Sequence, residues 1–173
     1  MTTRVGIGYD SHRFAAGRPL RLGGVTVPHT HGLAGHSDAD VVLHAVTDAI
    51  LGAAALGDIG TFFPDDDQQW KNADSARFLK AAIEAAAKAG FAVRQVDVTI
   101  VAEKPKLVPF VQPMRAATAR ALGIAMENVS IKAKSNEGMG WIGRGEGIAT
   151  IAVATVAPGA GGGAGGAGGA GGR

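Results

Sequence analysis

The sequence predicts an α/β domain, and three observations predict it. Stretches of strand-like alternation take turns with stretches of helical periodicity along the chain. Glycines stand where the helical stretches should stop, at Gly57, Gly90 and Gly123. The closing segment, Gly147 to Val156, is apolar on both faces, which suits a strand buried on both.

Taken in order, Arg4 to Asp10 alternates, with Val5, Ile7 and Tyr9 on one side, and reads as a strand continuing toward Phe14. Leu20 to Val27 is a second extended piece bent at Gly23-Gly24. Ser37 is placed to cap a helix whose first turn carries Asp38 and Asp40 at the positive end of the dipole. Val42, Ala45, Val46, Ala49 and Ala53 form the apolar stripe of that helix, and Gly57 ends it. A second helix is expected over about 73–89, then a strand over 91–102. Pro109 suits the first turn of a third helix. Val129 to Ala133 is the strand before the closing one.

The 173 residues are 46% hydrophobic, enough for one domain with a real core. Cysteine is absent, which excludes disulfides, zinc-thiolate sites and a cysteine nucleophile. A net charge of +2 is too small to point to nucleic acid. No apolar run reaches the roughly 18 residues of a membrane span, and the first residues lack an apolar signal core, so a soluble, cytoplasmic protein is expected. Residues 159–173 are ten Gly, four Ala and one Arg, read as a flexible tail on a working domain of 1–158.

Charge is distributed unevenly. Between Arg21 and Lys71 there is no Lys or Arg, yet this stretch holds seven Asp and four of the five His. A solvated acidic face is the ordinary reading of such a run. Interleaving with apolar residues at regular spacing favours a cation site instead. Asp10 and His12 are two apart on a strand and share a face. Asp40, His44 and Asp48 are spaced by four and share a helix stripe. Asp10, His12 and His44 would suit a zinc ion with an open fourth position, with Asp48 or Asp40 orienting His44. His36-Ser37, just before the helix, could serve phosphate as well as capping.

The loop Gly57-Asp58-Ile59-Gly60-Thr61-Phe62-Phe63-Pro64-Asp65-Asp66-Asp67 lacks the ligand spacing of an EF-hand. Its carboxylates suit the hydroxyls of a polyol. Lys132 to Glu137 ends a strand with donors and one carboxylate, and five glycines follow in the next ten residues, where backbone N–H groups can approach phosphate. The pattern is neither a P-loop nor a dinucleotide fingerprint. Ala102 to Leu107 is a loop shaped by Pro105, either an ordinary basic turn or a ligand contact.

Four blocks carry a resemblance: GIGYDSHRF, GHSDADVVLHAVTDAILGAAALGDIGTFFPD, AEKPKL and KAKSNEGMGWIGRGEG, followed by the closing apolar strand. In this order, over residues 4 to 156, the chain resembles the 2-C-methyl-D-erythritol 2,4-cyclodiphosphate synthase family. The resemblance implies a single domain with a mixed β-sheet and helices packed on one side, assembling as a homotrimer around a central channel. It implies conversion of 4-diphosphocytidyl-2-C-methyl-D-erythritol 2-phosphate to the cyclic diphosphate with release of CMP, a cyclising phosphorus–oxygen lyase step of the non-mevalonate isoprenoid pathway. By position, Asp10, His12 and His44 would be zinc ligands, and Glu137 would hold a second divalent ion, magnesium or manganese. His36 and Ser135 would stabilise the transition state.

Asp10, His12, His36 and Ser37 would contact the substrate, and Asp58, Ile59, Gly60 with Phe63, Pro64, Asp65, Asp66 and Asp67 would contact its methylerythritol phosphate part. Ala102, Glu103, Lys104, Pro105, Lys106, Leu107, Val108, with Lys134, Ser135, Asn136 and Glu137, would contact the cytidine diphosphate side. Trp141 and Arg144 fall at further substrate positions. Active sites would lie between subunits, and the central channel could take an isoprenoid diphosphate; no nucleic acid or membrane is implied. The chain departs from the family pattern at Lys134 and Ser135, where Thr is common, and at Trp141, where Phe is; Ser135 keeps the hydroxyl. Two competing readings use the same residues: a zinc phosphohydrolase, and a non-catalytic trimer that binds isoprenoid diphosphates.

Overall fold

The computed structural model describes residues 2–64 and 67–159. Asp65, Asp66 and the tail expected beyond Gly159 lie outside the described residues. The elements in order are β1 (Arg4–Ala15), β2 (Leu20–Leu22), β3 (Val25–Val27), β4 (Gly32–Leu33), α1 (Val41–Ala53), α2 (Ile59–Phe62), α3 (Ser75–Lys88), β5 (Phe91–Val101), α4 (Val111–Leu122), β6 (Val129–Lys134), α5 (Gly140–Gly143) and β7 (Gly147–Pro158). Five strands form one mixed sheet in the order β4-β1-β7-β5-β6, antiparallel except for the parallel pair β5–β6. That single α/β domain with its mixed sheet is the architecture the sequence implied.

Helices α1, α3 and α4 cover one face of the sheet. The alternation of β1 decides which side they take. Gly6 and Gly8 face α1, whereas Val5, Ile7 and Tyr9 face away and are 65, 70 and 56% exposed. A Cβ on Gly6 would stand 2.1 Å from the Ala49 carbonyl oxygen, and one on Gly8 1.9 Å from that of Ala45. Only glycine lets α1 lie this close to β1. Helix α1 is buried almost all round, between the sheet and α3, so its polar line faces a cleft rather than open solvent.

The closing strand β7 differs from expectation. Ile148, Ala152, Ala154 and Val156 are buried beneath the helices, but Ile151, on the other face, is 41% exposed. Within one chain, the far face of β7 is covered at Gly147 and Ala149 and partly open from Ile151 to Thr155. An apolar, partly open face therefore runs across β1 and β7.

The start of α1 also differs. Its cap is Asp40, not Ser37, and no acid lies in its first turn. Ala39 takes φ +56°, which breaks a helical path from Ser37, and the Ser37 hydroxyl accepts from the Ala39 N–H instead. Asp40 is 1% exposed and accepts from the N–H groups of Val42, Leu43, Gly23 and Gly24 at 2.7–3.1 Å. Gly23 and Gly24 are the two positive-φ residues of the β2–β3 turn. One carboxylate thus ties that hairpin to the helix. Burial pushes the Asp40 carboxyl up, and the N–H groups of Gly24, Leu43 and Gly23 offset only part of that rise. Asp40→Ala should leave four donors without an acceptor and cost at least about 3 kcal/mol; a fall in melting temperature by calorimetry checks it, and an unchanged midpoint would refute the tie.

Candidate metal centre and cleft

Three side chains converge where the amino end of α1 crosses the far half of β1. Asp10 and His12 follow Gly6 and Gly8 on the same face of the strand, and His44 stands on the first turn of α1 above them. The glycine contact that draws the helix down also brings His44 to the strand. Asp10 Oδ2 lies 3.0 Å from His12 Nε2 and 2.9 Å from His44 Nδ1. The two ring nitrogens are 3.3 Å apart. One donor atom from each residue falls within 4.8 Å of the others, so the cluster could hold a divalent metal ion. Nitrogen and carboxylate donors of this kind suit an ion of borderline softness such as zinc.

The electrostatics agree. Burial pushes the Asp10 carboxyl up, but hydrogen bonds to His12 and His44 and the charge of both rings outweigh it and hold the group well below the usual carboxylate range. For His12, burial acts downward, and the hydrogen bond and charge of Asp10 overcome it, leaving the ring above its ordinary value. A carboxylate kept ionised beside two imidazole nitrogens offers a cation three donor atoms.

The triad lies in a cavity of about 240 Å³ that also takes in His36, Ser37, Ile59, Gly60 and Phe63. His36 is held by its Nε2, 3.3 Å from the Asp67 carbonyl oxygen. Asp58 caps α2, accepting from the Thr61 N–H and hydroxyl on one oxygen. Phe63 packs against Phe78 and Trp70, with ring centroids 4.6 and 5.0 Å away, making an apolar wall. Pro64 is exposed at the rim.

Neither carboxylate expected to orient His44 does so. Asp40 is spent on capping, and Asp48 accepts from the Ile59 N–H at 2.7 Å, holding the start of α2 against α1. His44 Nε2 meets Ser75 Oγ at 2.8 Å and Ser37 Oγ at 3.2 Å. Sequence reading missed Ser75, Trp70 and Phe78. Position 75 looks like an ordinary helix start, and nothing local shows that it turns inward. Arg18 was missed too; it clamps the loop before α1 through the carbonyls of Gly35, at 2.6 Å, and Ser37.

The second group of expected residues is built elsewhere in the chain. Ala102 to Val108 leaves β5 beside the end of β6, where the Ala102 N–H donates to the Lys134 carbonyl at 2.9 Å. The Glu103 carboxylate accepts from the N–H groups of Asn136 and Gly138 at 2.9 and 3.1 Å, bracing Glu137 in its left-handed conformation, φ +52°. Ser135 donates to Glu137 Oε1 at 2.5 Å. Arg144 donates to Glu146 at 2.6 Å. Glu103, Lys104 and Arg144 line a separate cavity of about 500 Å³, and Trp141 lies on α5 nearby in the chain. Strands β7 and β5 stand between β1 and β6. Three strand spacings, about 14 Å, therefore separate Asp10 from Lys134 within the chain.

The sequence profile of the YgbB family matches residues 3–157. The chain belongs to the YgbB family. A 2-C-methyl-D-erythritol 2,4-cyclodiphosphate synthase of Salinibacter ruber is 57% identical over 152 residues, 88% of this chain and 97% of that one. A solved 2C-methyl-D-erythritol-2,4-cyclodiphosphate synthase in its CDP-bound form matches with TM-score 0.82 and 34% identity, covering 89% of this chain and 100% of the other. The bifunctional IspDF of Campylobacter jejuni matches with TM-score 0.86 and 42% identity over 90% of this chain, which spans 42% of that longer protein. As a YgbB member with such relatives, the chain is an enzyme, and the cyclising synthases are its curated kin. Among the described residues, no helix is long and apolar enough to cross a membrane.

Proposed function

We propose that the chain converts 4-diphosphocytidyl-2-C-methyl-D-erythritol 2-phosphate to 2-C-methyl-D-erythritol 2,4-cyclodiphosphate and CMP, as a cytoplasmic step of non-mevalonate isoprenoid biosynthesis. The Asp10, His12 and His44 cluster at the floor of a cleft, in a chain 57% identical to a synthase of that name, carries this reading. An oxygen of the 2-phosphate attacks the β-phosphorus. The bond from that phosphorus to the oxygen shared with the α-phosphate breaks, and CMP leaves with that oxygen and its electron pair. The nucleophile belongs to the substrate, so the protein needs no nucleophilic side chain.

What remains is to bring the ends of a flexible molecule together and to neutralise crowded phosphate charge. Asp10, His12 and His44 would hold zinc, and Glu137 would hold magnesium or manganese. Bound there, the ions supply Lewis-acid stabilisation of charge on the phosphoryl oxygens. His36 and the Ser135 hydroxyl offer donors to the same charge. Asp58 keeps one carboxylate oxygen for a polyol hydroxyl while the other holds Thr61. The stretches 63–67 and 58–60 grip the methylerythritol part, and 102–108 with 134–137 grip the nucleotide, aided by Trp141 and Arg144.

A homotrimer completes the site. Two observations support it: the apolar outer face of β1 and β7, and the roughly 14 Å between metal cluster and nucleotide loops in one chain. A head-to-tail interface would set the nucleotide loops of one subunit against the metal cluster of the next. The channel enclosed by that apolar face suits an isoprenoid diphosphate.

Mixing two inactive variants tests reaction and assembly together, with CMP release as the readout. His44→Ala and Glu137→Ala chains, refolded or co-expressed in equal amounts, should recover about one quarter of wild-type turnover, the share of interfaces with both intact halves. Wild type that releases no CMP would overturn the reaction. Mixtures that recover nothing would overturn the shared site.

A further inference from the structure

We propose that Ser75 and Asp38 are positioning residues for His44: they fix the proton on its Nε2 and so leave Nδ1 free to bind a divalent cation. This rests on reading Asp10, His12 and His44 as metal ligands. Nδ1 of His44 is the atom that faces the cluster, 2.9 Å from Asp10 Oδ2 and 3.3 Å from His12 Nε2. Nε2 points the other way, 2.8 Å from Ser75 Oγ. Ser75 is fully buried, and its hydroxyl also meets Asp38 Oδ1.

Of the two hydroxyls that meet Nε2, Ser75 at 2.8 Å is the closer and Ser37 at 3.2 Å the farther, so Ser75 governs the donor inventory. A carboxylate only accepts, so the single hydroxyl proton of Ser75 goes to Asp38. Ser75 can meet His44 only as an acceptor, which places the imidazole proton on Nε2. With a cation bound, the neutral ring would carry its one N–H at Nε2 and turn the Nδ1 lone pair to the cation in place of its contact with Asp10. Metal-bound histidines commonly have their other ring nitrogen held in this manner, by carboxylate, carbonyl or water. Here a hydroxyl stands between ring and carboxylate.

Ser75 is not occupied with ending its helix. Asp74 caps α3, accepting from the Ala76 N–H at 2.8 Å, so the hydroxyl at the next position is free to turn inward. Asp38 is itself held. Its Oδ1 accepts from the N–H groups of Ser75 and Asp40 at 3.3 Å, and its own N–H donates to the Ala73 carbonyl at 3.0 Å. Phe78, one turn along α3, packs on the His44 ring with centroids 5.9 Å apart and limits its rotation. The beginning of α3 thereby serves the metal cluster without contributing a ligand.

The test is Zn²⁺ affinity of the full chain, measured by competition with a chromophoric chelator. Ser75→Ala should weaken it by about 10- to 100-fold. Asp38→Ala keeps Ser75 but frees its proton to be donated to Nε2, which favours the tautomer with Nδ1 protonated, so affinity should fall comparably. Affinity within twofold of wild type in either variant, folded by circular dichroism, would overturn the proposal. Nitrogen-15 NMR of the zinc-loaded wild type needs no variant: a slowly exchanging proton on His44 Nε2 is expected. A proton on Nδ1 instead, with zinc on Nε2, would overturn it. Full zinc retention by His44→Ala would remove the ligand assignment beneath the proposal, and the proposal with it.

Discussion

Replacing His44 with alanine should strip the divalent metal and lower turnover at least about a thousandfold, while the chain stays folded and assembled. His44 supplies one of only three donor atoms in the cluster, and Asp10 and His12 alone leave a cation with two protein ligands. Metal content by atomic emission and CMP release by chromatography read the two effects separately. The core should survive, because the α1 residues that pack on β1 are Ala45, Ala49 and Ala53, on a different face of the helix. Loss of metal without loss of turnover would detach the cluster from the chemistry. Retained metal would show that another residue completes it.

Ile7→Asp should turn the proposed trimer into monomers and abolish CMP release while zinc remains bound. Ile7 is 70% exposed in the single chain, at the middle of the apolar face between Val5 and Tyr9. A carboxylate forced into a packed, apolar interface without a partner costs about 3–5 kcal/mol, repeated in each subunit. Its own fold should tolerate the change, since the side chain points away from the helices. Sedimentation velocity gives the assembly state, and chelator competition gives the zinc. Monomers with full activity would mean that one chain holds the whole site; an active trimer would mean that subunits meet on another surface.

The fold class was legible because periodicity and stop signals agree along the chain. Gly90 and Gly123 end α3 and α4 in positive-φ conformations, at the positions the pattern marked. The sidedness of β1 was not legible. Val5, Ile7 and Tyr9 look like the buried side of a strand, and in one chain they are the exposed side, because packing α1 against Gly6 and Gly8 requires a face without side chains. The sequence pattern of β7 likewise fits the proposed assembly, since within one chain its far face is only partly covered. Capping misled for a related reason: Ser37 and Asp38 have ideal chemistry for a helix start, but Ala39 turns the chain, and both side chains are engaged with His44 and Ser75.

Within the site, the spacing of Asp10 with His12 and of His44 with the helix stripe was enough to find the metal cluster, since strand and helix periods are rigid rules. Supporting contacts follow no such rule. Asp48 and Asp40 share the stripe with His44, yet each is claimed by backbone N–H groups that come from distant turns. Ser75 reaches His44 across 31 residues of chain, a distance that local pattern does not span.

Phosphorus NMR of the metal-loaded protein with 4-diphosphocytidyl-2-C-methyl-D-erythritol 2-phosphate tests the central claim most directly. The two coupled diphosphate resonances of an eight-membered ring, growing in step with CMP as substrate signals fade, are expected. A linear phosphate or diphosphate product would mean that water, not the substrate's own 2-phosphate, attacks the β-phosphorus, and that the cleft serves hydrolysis instead.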